Sequence, residues 1–85
     1  MNKVFIFYYC DEHKSRNKMR IHKVYADTEK GRRALAECII SESQNGDIEV
    51  EDSPELIRHT CVYGSPIYLN SAITYGFIES EDVEE

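Results

Sequence analysis

Eighty-five residues with 16 Asp and Glu against 10 Lys and Arg give a formal charge of −6, enough chain for one domain with a modest core. Hydrophobic residues make up 41% and charged residues 31%, a balance too apolar for wholesale disorder. No apolar run approaches the roughly 18 residues of a membrane helix, Val4 to Cys10 lacks a secretory cleavage site, and three scattered cysteines are no disulfide framework, so the expected location is cytoplasmic.

Lys3 to Cys10 (KVFIFYYC) is rich in aromatic and β-branched residues and apolar on both faces, which predicts a central strand covered on both sides. The polar segment DEHKSRNK follows, then Lys18 to Ala26 as a second strand nearer an edge, with Met19, Ile21 and Tyr25 on one face. Val24 breaks its alternation and hints at a bulge. Asp27 or Thr28 serves as N-cap of a helix with Leu35, Cys38, Ile39 and Glu42 at helical spacing. Gly31 costs about 1 kcal/mol relative to Ala, so a frayed first turn is expected, and Asn45-Gly46 ends the helix. Ile48 to Glu51 reads as a short strand, and Ser53-Pro54-Glu55 starts a helix of one or two turns reaching about His59. Cys61 to Tyr63, Ile67 to Leu69 and Ala72 to Ile78 carry strand-forming residues, the last two joined at Asn70-Ser71. A helix through 65–78 is the alternative. The order β-β-α-β-(short α)-β-β gives an α+β fold: a small, mainly antiparallel sheet with one helix packed on one face. Residues 1–79 are expected to form the single domain, and 80–85 an acidic, frayed tail.

The charge is unevenly spread. Met1 to Ala36 holds nine bases and four acids, a net of +5, whereas Glu37 to Glu85 holds twelve acids and one base, a net of −11. Thr60 to Ile78 has no formal charge, which marks it as core, interface or both. If its last strand is an exposed edge, a homodimer becomes possible.

Four sets of residues are candidates for chemistry. Cys10, His13, His59 and Cys61 have the ligand types of a structural zinc, but His59-x-Cys61 is closer than the usual spacing, so packed cysteines and surface histidines are the preferred reading and no metal or other cofactor is expected. Cys38 reads as a small core residue. His13, His22 and His59 with Lys14, Arg16 or Arg20 offer acid–base and phosphate-binding groups, yet no spacing selects a catalytic pair and no Gly-rich phosphate loop is present, so enzyme activity is not expected. Lys14, Arg16, Lys18, Arg20 and Lys23, beside Tyr8, Tyr9 and Tyr25, suit direct RNA or DNA binding, against a net charge that repels polyanions. Glu49, Glu51, Asp52 and Glu55, then Glu79, Glu81 and Asp82, with Tyr63 and Tyr68 as anchors, form the preferred partner-binding set. Such carboxylates can occupy a basic groove that otherwise holds a phosphate backbone.

In size, charge and the lack of a catalytic motif, the chain resembles the small acidic sheet-plus-helix inhibitors of phages and mobile elements, among them anti-CRISPR and anti-restriction proteins and nuclease immunity proteins. The resemblance covers no specific motif. It implies stoichiometric inhibition of a nucleic-acid-processing complex, a nuclease or effector, by occlusion of its nucleic-acid-binding surface, without turnover or cofactor. Direct nucleic-acid binding through 14–23 is the alternative, and a zinc-stabilised domain the outsider.

Overall fold

The aromatic, two-faced segment near the N-terminus becomes Asn2–Tyr9 (β1), the centre of a three-stranded antiparallel sheet in the computed structural model, which describes residues 2–83. Arg20–Ala26 (β2) pairs along one side of it and Gly76–Val83 (β5) along the other. Between them in sequence lie Glu29–Asn45 (α1), Glu49–Val50 (β3), Pro54–Tyr63 (α2) and Ile73–Thr74 (β4), with β3 and β4 paired antiparallel as a separate small ladder. The class is α+β, as expected, and the second helix, expected to end near His59, runs on to Tyr63 and packs against the first. No helix among the described residues is long and apolar enough to cross a membrane.

Phe5 and Phe7 of β1 and Ile78 of β5 point into one core with Leu35, Ala36, Ile39 and Ile40 of α1 and Ile57 and Cys61 of α2. Ile48, Leu69 and Ile73 complete the cluster. Each such side chain contributes about 1.5–3 kcal/mol by leaving water, which is what fastens both helices to one face of the sheet. Val4, Ile6 and Tyr8 alternate with the core residues of β1 and are only half-buried. The expectation that β1 is covered on both sides is therefore corrected: helices cover one face alone.

Local propensity misleads in three further places. Cys61 to Tyr63 continues α2 instead of forming a strand, because Ile57 and Cys61, one turn apart, both reach the core. Pro66–Ser71 is a 3-10 segment that buries Pro66 and Leu69, where a strand over Ile67 to Leu69 was expected. Residues 80–83 are no frayed tail but the last part of β5, in register with β1 from Phe5↔Ser80 to Asn2↔Val83. Glu84 and Glu85 lie outside the described residues.

Two side chains tie the layers together. Arg32, on the first turns of α1, donates from Nε to Asp27 Oδ1 at 2.6 Å and from Nη1 to the carbonyls of Cys61 and Gly64 at 3.2 and 2.7 Å. It thereby fills carbonyls that the end of α2 leaves without helical partners, while its guanidinium sits 5.3 Å from the Phe5 ring centroid. Asn70 pairs with Ile78 like a short strand, Nδ2 donating to its carbonyl at 2.9 Å and Oδ1 accepting from its N–H at 2.8 Å. At Ile78 the outer edge of β5 is thus already paired.

The start of α1 overturns the expected fraying. Thr28 is the N-cap and accepts from the Gly31 N–H at 3.0 Å, and the helix ends at Gly46 in the left-handed region, φ 86°. Gly31 is there for room: a Cβ on it would stand 2.0 Å from the Ala26 carbonyl oxygen. Gly31→Ala, which would gain about 1 kcal/mol of helix propensity in open solvent, should instead destabilise by roughly 1–3 kcal/mol, the usual cost of overpacking. Urea unfolding of the variant checks this, and a raised midpoint would show that α1 can move off β2 freely.

Candidate functional site

Pairing between β1 and β2 runs as Phe7↔Lys23 and then Tyr8↔Ile21, so His22 is an extra residue, a bulge. The bulge breaks the period of two. Tyr25 and His22 turn toward the helix-covered side, whereas Ile21 and Val24 face outward at 62% and 54% exposure. The expected grouping of Ile21 with Tyr25 on one face is corrected accordingly.

The inward His22 meets α1. Its ring stacks on Tyr9 with centroids 4.3 Å apart and touches Phe7 edge-on at 5.6 Å. Cys38 and Glu42, one turn apart on α1, present their side chains to the same spot. A ring nitrogen of His22, Sγ of Cys38 and a carboxylate oxygen of Glu42 lie within 4.8 Å of one another, the single such trio of His, Cys, Asp and Glu among the described residues. Tyr9 donates its hydroxyl to Glu42 Oε2 at 2.7 Å, and His22 Nε2 lies 3.1 Å from Glu42 Oε1. The Tyr25 hydroxyl neighbours the Cys38 thiol, and the Asp47 carboxyl reaches Glu42 just beyond the helix end. The set can exchange protons internally or hold a cation. It is a donor group of one nitrogen, one sulfur and carboxylate oxygens, half-shielded from water.

The electrostatics follow from these contacts. The Tyr9 hydroxyl bond holds the Glu42 carboxyl below its ordinary range, aided by His22, while burial and then the same bond push the Tyr9 phenol up. Asp47 is driven up by sharing a hydrogen bond with Glu42. Burial, then Cys38, raises Tyr25.

The outer face of the sheet is the second region. Its rows across the strands are Ala26–Val4–Glu81, Val24–Ile6–Glu79 and Ile21–Tyr8–Phe77, an apolar band beside a column of carboxylates. The loop between β1 and β2 folds back over part of it. Arg16 pairs with Glu79, to which Tyr8 also donates, and Lys14 donates to the Asn70 carbonyl with its ammonium 5.7 Å from the Phe77 ring centroid.

The residues singled out from the sequence are dispersed. Glu49, Glu51, Asp52 and Glu55 cluster along β3 and the start of α2, in a different sheet from Glu79, Glu81 and Asp82 on β5. Tyr63 and Tyr68 are 73% and 75% exposed at the end of α2 and on the 3-10 segment. Of the basic residues, Lys14 and Arg16 are engaged internally, and Lys18, Arg20 and Lys23 are exposed. Cys10, His13, His59 and Cys61 do not form a ligand group. Cys61 is fully buried, its thiol pushed up to about 12 by that burial, and His59 and His13 are exposed. The inward cluster was missed because Cys38 read as plain core and His22 as an exposed basic-strand residue. The one signal pointing to it was the broken alternation near Val24.

Comparison with protein families, curated proteins and solved structures finds no match to this chain.

The signs of the two carboxyl shifts give opposite pH behaviour. Glu42, depressed in the fold, contributes stability that is complete above its ordinary value of 4.5 and is lost as pH falls through the lowered one. Asp47, raised in the fold, disfavours the native state once ionised. In chelator-treated protein at neutral pH, Glu42→Gln should therefore lower the denaturation midpoint and Asp47→Asn should raise it. Both differences should shrink in acid, as chemical denaturation across pH will show.

Proposed function

We propose that the protein is a binding module acting by stoichiometric association, an inhibitor of a nucleic-acid-processing protein whose basic, nucleic-acid-binding surface it covers. The observation that carries this reading is the outer sheet face. An apolar band of Val4, Ile6, Tyr8, Ile21 and Val24 has no helix over it and is covered only in part by the β1–β2 loop, with Ile21 and Val24 exposed, beside Glu79 and Glu81. Exposed apolar patches with a charged rim mark sites of protein association. Elsewhere the acidic half keeps its charge available: Glu49, Glu51, Asp52, Glu55, Glu81 and Asp82 make no ion pair among the described residues. Carboxylates at a rim select basic partners and speed encounter, with strong salt dependence. Apolar contact supplies the affinity that screened charges do not. Such a partner places this protein in cells that carry the target, and the anti-CRISPR and anti-restriction type of phage and mobile element fits that description. Binding of this kind requires no turnover and no enzyme chemistry.

Affinity capture from the host cell identifies the partner, and titration calorimetry then measures two variants against wild type. Val24→Asp should weaken the complex at least about ten-fold by putting a charge in a desolvated contact. Reversal of Glu49, Glu51 and Asp52 to Lys should weaken it mainly at low salt, through slower association. Wild-type affinity in both variants would refute the reading. In gel shifts at low salt, generic DNA and RNA should remain free. A clear shift abolished by Lys18→Ala, Arg20→Ala and Lys23→Ala would replace the proposal with direct nucleic-acid binding.

A further inference from the structure

We infer that His22, Cys38 and Glu42 form a binding site for a divalent transition-metal ion of the zinc class, clamping the bulge of β2 to α1. Three observations carry it. The donor atoms differ in kind, an imidazole nitrogen, a thiolate sulfur and a carboxylate oxygen, and already lie within 4.8 Å of one another. In a tetrahedral zinc site neighbouring ligand atoms stand about 3.5 Å apart, given bonds of roughly 2.0–2.3 Å.

The supports around the donors form the second observation. Metal-binding side chains are held by outer hydrogen bonds that set their orientation and charge. Tyr9 holds one oxygen of Glu42 at 2.7 Å and stacks on the His22 ring, and the Tyr25 hydroxyl neighbours the Cys38 thiol. Glu42 Oε1, the oxygen not taken by Tyr9 at that distance, is the one that faces His22 Nε2 at 3.1 Å. An ion between them takes Nε2 as ligand, so the ring proton resides on Nδ1.

The third is charge. Asp47 brings a second carboxyl against Glu42. A divalent cation neutralises the thiolate and carboxylates that binding creates, the Cys38 proton passing to solvent as the sulfur becomes a ligand. Three protein donors leave a fourth position, and Asp47 or a water occupies it. Sulfur with nitrogen selects zinc over magnesium or calcium, which take oxygen ligands. The site lies on the helix-covered side of the sheet, opposite the proposed partner face, and stands or falls independently of it.

The test uses the full chain, stripped with chelator and titrated with Zn²⁺ and Co²⁺. One ion per chain is expected, with a rise in thermal midpoint and, for Co²⁺, a thiolate-to-cobalt charge-transfer band with tetrahedral d–d absorption. Zinc should protect Cys38 from alkylation while leaving Cys10 reactive, a readout in wild-type protein that does not depend on any variant folding. Cys38→Ser and His22→Gln should each lower affinity at least about 100-fold, beyond the loss typical of an outer partner, and Cys10→Ser should leave it unchanged. No ion taken up by the wild type, cobalt spectra without the sulfur band, or binding that survives Cys38→Ser but not Cys10→Ser would overturn the site.

Discussion

β1 is hydrogen-bonded along both of its edges, and the position of every other feature is measured from it. Its alternation sends Phe5, Phe7 and Tyr9 one way and Val4, Ile6 and Tyr8 the other, and both sets are apolar. Hydrophobicity alone therefore does not choose its facing, since a one-residue slip would exchange one apolar set for another. The choice is made by its partners. Ile78 beside Phe7 is buried and anchored by Asn70, Tyr9 is taken by Glu42, and Phe5 lies against Arg32. Polar contacts at the ends of the strand thus specify what its apolar middle leaves degenerate.

From that registration the two faces take different chemistry. The inner one is filled by α1 and α2, and where the filling thins out, at the β2 bulge, polar side chains from strand and helix meet. The outer one carries apolar rows that no helix covers and the β1–β2 loop covers only in part, next to carboxylates of β5. One extra residue in β2 separates the two: without it, His22 would not share a side with Tyr25, and Ile21 would not join Val24 outside.

Much of this was readable beforehand where local rules suffice. The amphipathic spacing and Asn45-Gly46 stop of α1, the Ser53-Pro54 start of α2 and the central character of β1 rest on near neighbours in sequence. The errors share a cause. Cys61 to Tyr63 has strand-forming side chains, yet burial of Cys61 in line with Ile57 keeps it helical. Ser80 to Asp82 looks like a solvated tail because its pairing partners, Lys3 to Phe5, lie more than seventy residues away. The His22–Cys38–Glu42 cluster is likewise tertiary: Cys38 and Glu42 are visibly one turn apart, but the inward turn of His22 depends on cross-strand register. Gly31 shows the same limit from the other side, since its cost as a helix residue is local and its necessity against Ala26 is not.

Asn70 has a consequence for how the chain can associate. Its amide reproduces one peptide unit, so Ile78 already has the neighbour that an incoming strand would offer. Past that point β5 carries Glu79, which Arg16 holds, and then Glu81 and Asp82, which make no ion pair among the described residues. The opposite border, β2, retains an unpaired backbone row. Strand addition is thereby obstructed at Ile78, and the border that remains open along its whole length is that of β2.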